Sequence, residues 1–170
     1  GKFNNYESDL FTPIISRLEA LSTKSYGRNN QDDTAMRVIA DHARATTFLV
    51  ADGVLPSNEG AGYVLRRIMR RAVRYGKHLG LEKPFMEEAC NAVVGEMADA
   101  YPHLNGALSL LAKVVVKEEE RFRETLENGL TLLDEEISRL TKENSRRISG
   151  GFIFKLYDTF GFPFDIVRDI

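Results

Sequence analysis

The feature that most constrains this chain is a basic segment with one apolar side, Gly62 to Gly76, entered through the turn-rich run Asp52-Gly53-Val54-Leu55-Pro56-Ser57-Asn58-Glu59-Gly60-Ala61. At about 100° per residue, with Arg66 as zero, Arg70 falls near ~40°, Arg74 near ~80°, Arg67 near ~100° and Arg71 near ~140°. Leu65, Ile68, Met69, Ala72 and Val73 take the other side, so the segment reads as an amphipathic helix with a core face and a guanidinium face. Lys77 and His78 continue the polar arc. From Ala61 to Lys83 there are seven Lys or Arg and only Glu82 to oppose them, whereas the whole chain carries a net charge of −2. A solvated face would normally interleave acids with its bases. A concentrated positive face on a slightly acidic chain suits a polyanion, and planar guanidinium forks pair with phosphate better than ammonium groups do.

The run Pro56-Ser57-Asn58-Glu59-Gly60-Ala61-Gly62 combines turn formers with two glycines that permit close backbone approach. It leads into a helix N-terminus, whose free amides favour an anion or an acceptor atom. Asn58 has two readings here. It is either a helix N-cap, the common fate of Asn in this setting, or an exposed amide whose donors and acceptor read a base edge.

With 170 residues, 43% hydrophobic and 28% charged, the chain is long enough for one globular domain, and residues 142–170 are a candidate for a separately packed C-terminal part. A single cysteine, Cys90, excludes an internal disulfide, makes a reducing cytoplasmic setting the expectation, and is read as a small core residue. No apolar run approaches the ~20 residues that span a bilayer, and no membrane partner is expected. The start at Gly1 without an initiator Met suggests an excised fragment.

Helical spacing organises the remainder. Ser8 to Leu21 reads as a first helix, with Leu10, Phe11, Ile14, Ile15, Leu18 and Leu21 apolar; Pro13 is tolerated there if it falls in the first turn. Asp32-Asp33-Thr34 opens a second, with Val38, Ile39, His42, Ala45, Thr46 and Leu49 as its buried side and Gly53 as its C-terminal stop. Pro84 to Ala100 forms another, turning Phe85, Met86, Ala89, Val93, Val94 and Met97 inward. Asn105 to Leu140 predicts a strut about 50 Å long, with a seam of Leu108, Leu111, Val115, Phe122, Leu126, Leu130, Leu133, Ile137 and Leu140 and a weak point at Gly129. A short helix from Phe152 to Thr159 packs Phe152, Ile153, Leu156 and Tyr157, and a turn at Phe160-Gly161-Phe162 leads to a last helix begun by Pro163. No strand alternation or repeat appears. The expected fold is all-α, a helical bundle with one long strut helix and a short C-terminal helical tail.

Other candidates for chemistry are weaker. His42, His78 and His103 are scattered, with no Cys or carboxylate at ligand spacing, so no metal is assigned and His42 is read as a core or interface histidine. Glu118-Glu119-Glu120 and Asp134-Glu135-Glu136 read as solvated acidic faces, since consecutive helical residues diverge; they would repel nucleic acid toward the arginine side. No phosphate-binding glycine loop or nucleophile triad stands out, so the residues alone describe a binding module without catalytic or cofactor-binding residues.

Four motifs extend this reading. Arg37-Val38-Ile39-Ala40-Asp41-His42, Ala51-Asp52-Gly53-Val54-Leu55-Pro56-Ser57-Asn58-Glu59, Gly62-Tyr63-Val64-Leu65-Arg66-Arg67 and Leu156-Tyr157-Asp158-Thr159-Phe160-Gly161-Phe162-Pro163 closely resemble the alanyl-tRNA synthetase family, in order and spacing, across essentially the whole chain. The resemblance implies the helical tRNA-recognition domain that follows a class II catalytic domain. Its partners would be the acceptor stem of alanine tRNA and the missing catalytic domain of the same chain. ATP and magnesium would act in that absent domain and zinc in an absent editing domain, so the fragment alone is expected to be inactive. The resemblance places the reading of a G·U pair on Asn58 and Asp158, while the basic helix face itself offers Arg66, Arg67, Arg70, Arg71 and Arg74 as phosphate contacts. An A-form minor groove exposes the guanine amino group, from which Asp158 can accept, and Asn58 can meet either base edge. Read without the resemblance, Asp158 is a capping or ion-pairing carboxylate. Ala61 departs from the pattern, standing where the family commonly has Arg. Two other classes compete: a free-standing helical nucleic-acid-binding module, which should dimerise and prefer duplex DNA, and a helical scaffold whose Arg face takes an acidic protein.

Overall fold

The structure, a computed structural model, describes residues 4–159 together with Phe162 and Val167. The expected turn at Phe160-Gly161 and the helix from Pro163 lie outside the described residues. Among the described residues six α-helices follow in order: α1 (Thr12–Ser22), α2 (Asn30–Ala51), α3 (Gly60–His78), α4 (Met86–Met97), α5 (His103–Lys142) and α6 (Gly150–Asp158). No strand occurs among the described residues, so the all-α expectation holds. The backbone divides into two compact units, Gly1–Glu120 and Arg121–Ile170.

In the first unit, α2 packs against α1, α3 and α4, and α1 also packs on α4. The α1 helix begins at Thr12, not at Ser8, because Pro13 lacks an N–H and is accommodated in the first turn. Ser8 instead follows a single 3-10 turn (Asn5–Glu7), and Leu10 is left exposed. Asn29, ahead of the expected Asp32, caps α2 by accepting from the Gln31 N–H at 2.9 Å. Gly53 follows the end of α2 with a φ of +87°, the left-handed conformation that closes a helix. The buried stripe of α2 is rotated from the expected one: Met36, Ile39, Ala40, Ala43, Thr46, Thr47 and Val50 are enclosed. His42, Ala45 and Leu49 flank it half-buried. The reason is that helices pack on several sides of α2, and small residues such as Ala40 and Ala43 allow close approach there.

The α4 helix is shorter than expected, and its inward set is the predicted one with Cys90 added. Burial pushes the Cys90 thiol up to about 12, so it behaves as a small apolar group. The N-terminus of α4 has no cap from its own side chains. Glu119 of α5 supplies one, accepting from the Phe85 N–H at 3.1 Å and the Met86 N–H at 2.9 Å. An anion at this pole meets both unpaired amides and the positive end of the helix dipole.

That contact corrects one expectation. Glu118 and Glu119 are only 6% and 1% exposed, so the first acidic triplet is not a solvated face. The divergence of neighbouring side chains was read correctly, but the partners that each carboxylate meets are dozens of residues away in the chain.

In the second unit, Phe122, Leu126, Leu133, Leu140, Leu156 and Phe162 form the buried apolar set, whereas Ile137 is exposed. Ser149 caps α6 by accepting from the Phe152 N–H at 3.2 Å. Only Leu156 of α6 is buried; Phe154 and Tyr157 are exposed and Phe152 and Ile153 half-buried, so the expected packing of four side chains reduces to one fully enclosed. Gly129 is no break in α5. The Phe162 ring rests on it, and a Cβ built there would lie 1.9 Å from Phe162 Cδ2.

Replacing Gly129 with Ala therefore tests the packing against helix propensity. Propensity alone favours Ala by about 1 kcal/mol, but overpacking typically costs about 1–3 kcal/mol. Urea unfolding of Gly129→Ala should show a net loss of stability, partly recovered in the double variant with Phe162→Leu. A gain in the single variant would contradict the packing.

Candidate nucleic-acid interface

The α3 helix begins where the loop of residues 53–59 folds onto it. Its N-cap is Glu59, which makes no side-chain cap, so Asn58 is not the N-cap. Ser57 Oγ donates to the Glu59 carbonyl at 2.7 Å. Gly62 is required by close approach: a Cβ there would lie 2.2 Å from the Leu55 carbonyl oxygen and 2.3 Å from Ser57 Oγ. The loop is thereby pressed against the first turn of the helix, and Asn58 is held exposed at its edge.

The Asn58 side chain is directed by α3. Arg66 Nη1 donates to Asn58 Oδ1 across one end of the arginine face. Arg66 in turn lies against Glu118, its Nε 3.1 Å from Oε1, while Arg70 Nε donates to the same oxygen at 3.0 Å. The Arg66 Nε approach is an ion pair without hydrogen-bond alignment. Both side chains are mostly enclosed, at 16% and 17% exposure. The acid that α3 lacks locally is therefore provided by α5, whose Glu118 engages both Arg66 and Arg70.

Arg67 and Arg71 are exposed, and Arg74 is half-buried. Each stands against an aromatic ring of its own helix: Arg67 is 5.9 Å from the Tyr63 centroid, Arg71 5.9 Å from Tyr75 and Arg74 6.0 Å from Tyr75. Ring and guanidinium attract through the quadrupole, which limits the arginine rotamers without neutralising their charge. The tyrosines were missed in the sequence, although Tyr63–Arg67 and Arg71–Tyr75 both have the spacing of four that makes neighbours on a helix.

At the C-terminal end of α3, His78 Nε2 lies 3.6 Å from Asp32 Oδ1 at the start of α2. Ala61 is exposed in the first turn of α3. Asp158, the other expected base reader, is exposed at the end of α6. It belongs to the second unit, whereas Asn58 and the five arginines belong to the first. Among the described residues, no group of three or more His, Cys, Asp and Glu is arranged to hold a metal ion. No helix among them is long and apolar enough to cross a membrane.

His42 reports on this face. Burial lowers its pKa from the usual 6.5 and the Arg71 charge lowers it further, opposed by a hydrogen bond with Asp41 at 3.1 Å. For a base depressed in the folded state, the unfolded chain binds more protons between the two pKa values. Stability from this group is therefore fully present above 6.5 and declines as pH falls through that window. An NMR titration should place the His42 midpoint below 6.5, and Arg71→Gln should move it upward. A midpoint that ignores Arg71 would remove the coupling.

Residues 1–170 match the family described as tRNA synthetases class II (A). Among curated relatives, the chain is 55% identical over 166 residues to an alanine–tRNA ligase of Desulfosudis oleivorans, with 98% of the chain and 19% of that protein covered. It is 52% identical over 184 aligned residues to an alanine–tRNA ligase of Anaeromyxobacter dehalogenans, covering 100% of the chain and 20% of the relative. A Lawsonia intracellularis alanine–tRNA ligase is 48% identical over 169 residues, with 99% and 19% covered. The chain thus spans about a fifth of the length of these relatives.

Proposed function

The chain belongs to the class II (A) tRNA synthetases, and from that premise we propose that it is the part of an alanine–tRNA ligase that binds the acceptor stem of alanine tRNA. The observation that carries the reading is the arrangement on α3. An exposed carboxamide, Asn58, stands at one end of a helix whose outer face bears Arg67, Arg71 and Arg74 on tyrosine rings. Guanidiniums on one helical face suit successive phosphates and supply affinity without sequence information. A rigidly held amide beside them suits a base edge in the shallow minor groove of an A-form helix.

In this reading Arg66 and Arg70 complete the phosphate-facing row while shared with Glu118, and Asn58 and Asp158 read the G·U pair. Asp158 is the acceptor for the guanine amino group that the wobble pair leaves unpartnered. The full-length protein attaches alanine to its tRNA in the cytoplasm. ATP and magnesium would serve its catalytic domain and zinc its editing domain, both outside these 170 residues. Ala61 removes a cation from the first turn of the helix, so Ala61→Arg should tighten RNA binding at low salt.

The test is binding to an alanine-tRNA acceptor-stem hairpin carrying G·U and to the same hairpin carrying G·C, at two salt concentrations. Wild type should prefer G·U, and Asn58→Ala or Asp158→Ala should reduce the preference by about fivefold to tenfold, the value of one hydrogen bond. Arg67→Gln and Arg71→Gln should each weaken both hairpins equally and lower the salt slope by about one. Equal, salt-sensitive binding of both hairpins by wild type would leave only a phosphate cradle. No binding to either would remove the nucleic-acid reading.

A further inference from the structure

Asn58 offers a carbonyl oxygen that accepts and an NH2 group that donates, and the two ends are distinguishable here by what faces them. A guanidinium has donors only. The end of the carboxamide that meets Arg66 Nη1 must therefore be the oxygen, since an NH2 in that place would set donor against donor. This fixes the outward end. Among the described residues Nδ2 has no hydrogen-bond partner, and Asn58 is exposed.

Arg66 is itself not free to swing. Its side chain is 16% exposed and lies against Glu118, whose side chain is only 7% exposed and also receives the Arg70 Nε–H. The carboxylate sits on α5, the amide on the loop before α3, and Arg66 spans the gap between them. A solubilising ion pair would be exposed and mobile, and would not end on a neutral amide.

We propose that Glu118 and Arg66 are positioning residues that lock Asn58 as a hydrogen-bond donor, so that the loop selects a ligand presenting an acceptor. This rests on the nucleic-acid reading above and narrows it. The partner of Asn58 is a minor-groove acceptor, such as purine N3, pyrimidine O2 or a ribose hydroxyl oxygen, and not the guanine amino group, which would leave two donors opposed. Recognition of that amino group is left to a carboxylate. Glu118 contributes no contact with RNA, yet specificity depends on it. Its negative charge has a second effect, since it partly neutralises Arg66 and Arg70 and thereby restrains indiscriminate phosphate binding.

Two variants test this, with the two hairpins as probes. Asn58→Asp keeps an oxygen for Arg66 but replaces the outward donor with an acceptor. Because the residue is exposed, the fold should survive. Its G·U preference should fall at least as far as that of Asn58→Ala. Retention of the wild-type preference by Asn58→Asp would overturn the donor assignment. Glu118→Gln preserves shape and removes the charge. It should bind the G·C hairpin more tightly, by about twofold to tenfold at low salt, with a steeper salt slope, while losing G·U preference. A variant merely damaged in folding would lose affinity for both hairpins, so the opposite signs separate positioning from structure. A folded Glu118→Gln with undiminished preference would overturn the positioning role.

A readout without RNA keeps the two readings apart. In the free wild-type protein the Asn58 Nδ2H2 pair should resonate away from the NMR positions of a solvated asparagine, and Glu118→Gln should move the pair toward those positions. Unchanged resonances would overturn the lock whatever RNA does. A wild type that locks Asn58 but ignores both hairpins would overturn the RNA ligand assigned here and leave the lock established.

Discussion

Two neighbouring carboxylates on one helix hold the first unit to its form. Glu118 and Glu119 project from α5 in directions about 100° apart, the rotation per helical residue. Each therefore serves a different neighbour: Glu119 closes the N-terminus of α4, and Glu118 takes the arginines of α3. Both are buried, which is tolerable only because each finds charge-assisted donors. Removing one member of such a group costs more than the pair contributes, because the charge left behind is enclosed without compensation. The basic face of α3 is consequently graded. Its inner edge, Arg66 and Arg70, is fixed by Glu118, whereas Arg67 and Arg71 stand exposed.

That gradation links packing to recognition. A row of equivalent, solvated arginines would bind any polyanion and hold nothing else in place. Here Arg66 is drawn inward by Glu118 and presses on Asn58, while Arg67 and Arg71 are steadied by tyrosine rings without losing charge. Rigid groups lose less entropy on binding than flexible ones. Gly62 is the backbone counterpart of this arrangement, because only a residue without Cβ allows the loop carrying Asn58 to lie on the helix.

Much of this was legible in the sequence, and what was not has a common cause. The α3 helix, its two faces and the inward set of α4 follow from a periodicity of 3.6 residues, which is local information. Family membership followed from long motifs read in order. Glu118 and Glu119 were misread as solvated because their partners lie 48 and 34 residues away, beyond any periodic signal. The stripe of α2 was rotated for the same reason: helices packed on several sides leave no single apolar arc. Gly129 looked like a weak point because propensity counts only the glycine itself, whereas the Phe162 ring that fills its missing side chain arrives from the far end of the chain. Asn58 resisted assignment because capping and base reading need the same residue type at the same place; the cap is excluded because Glu59 takes the N-cap position, and Arg66 eight residues on engages the carboxamide instead.

The central claim is that α3 and its preceding loop form the RNA-contacting surface of the first unit. The most direct measurement is a titration of the isotope-labelled chain with an acceptor-stem duplex, following arginine Nε–Hε and asparagine side-chain resonances by NMR. The account predicts saturable shifts at Arg67, Arg71, Arg74 and Asn58, with Arg17 on α1 unmoved. Shifts confined to other cations, such as Arg139 and Lys142, with α3 silent, would contradict it.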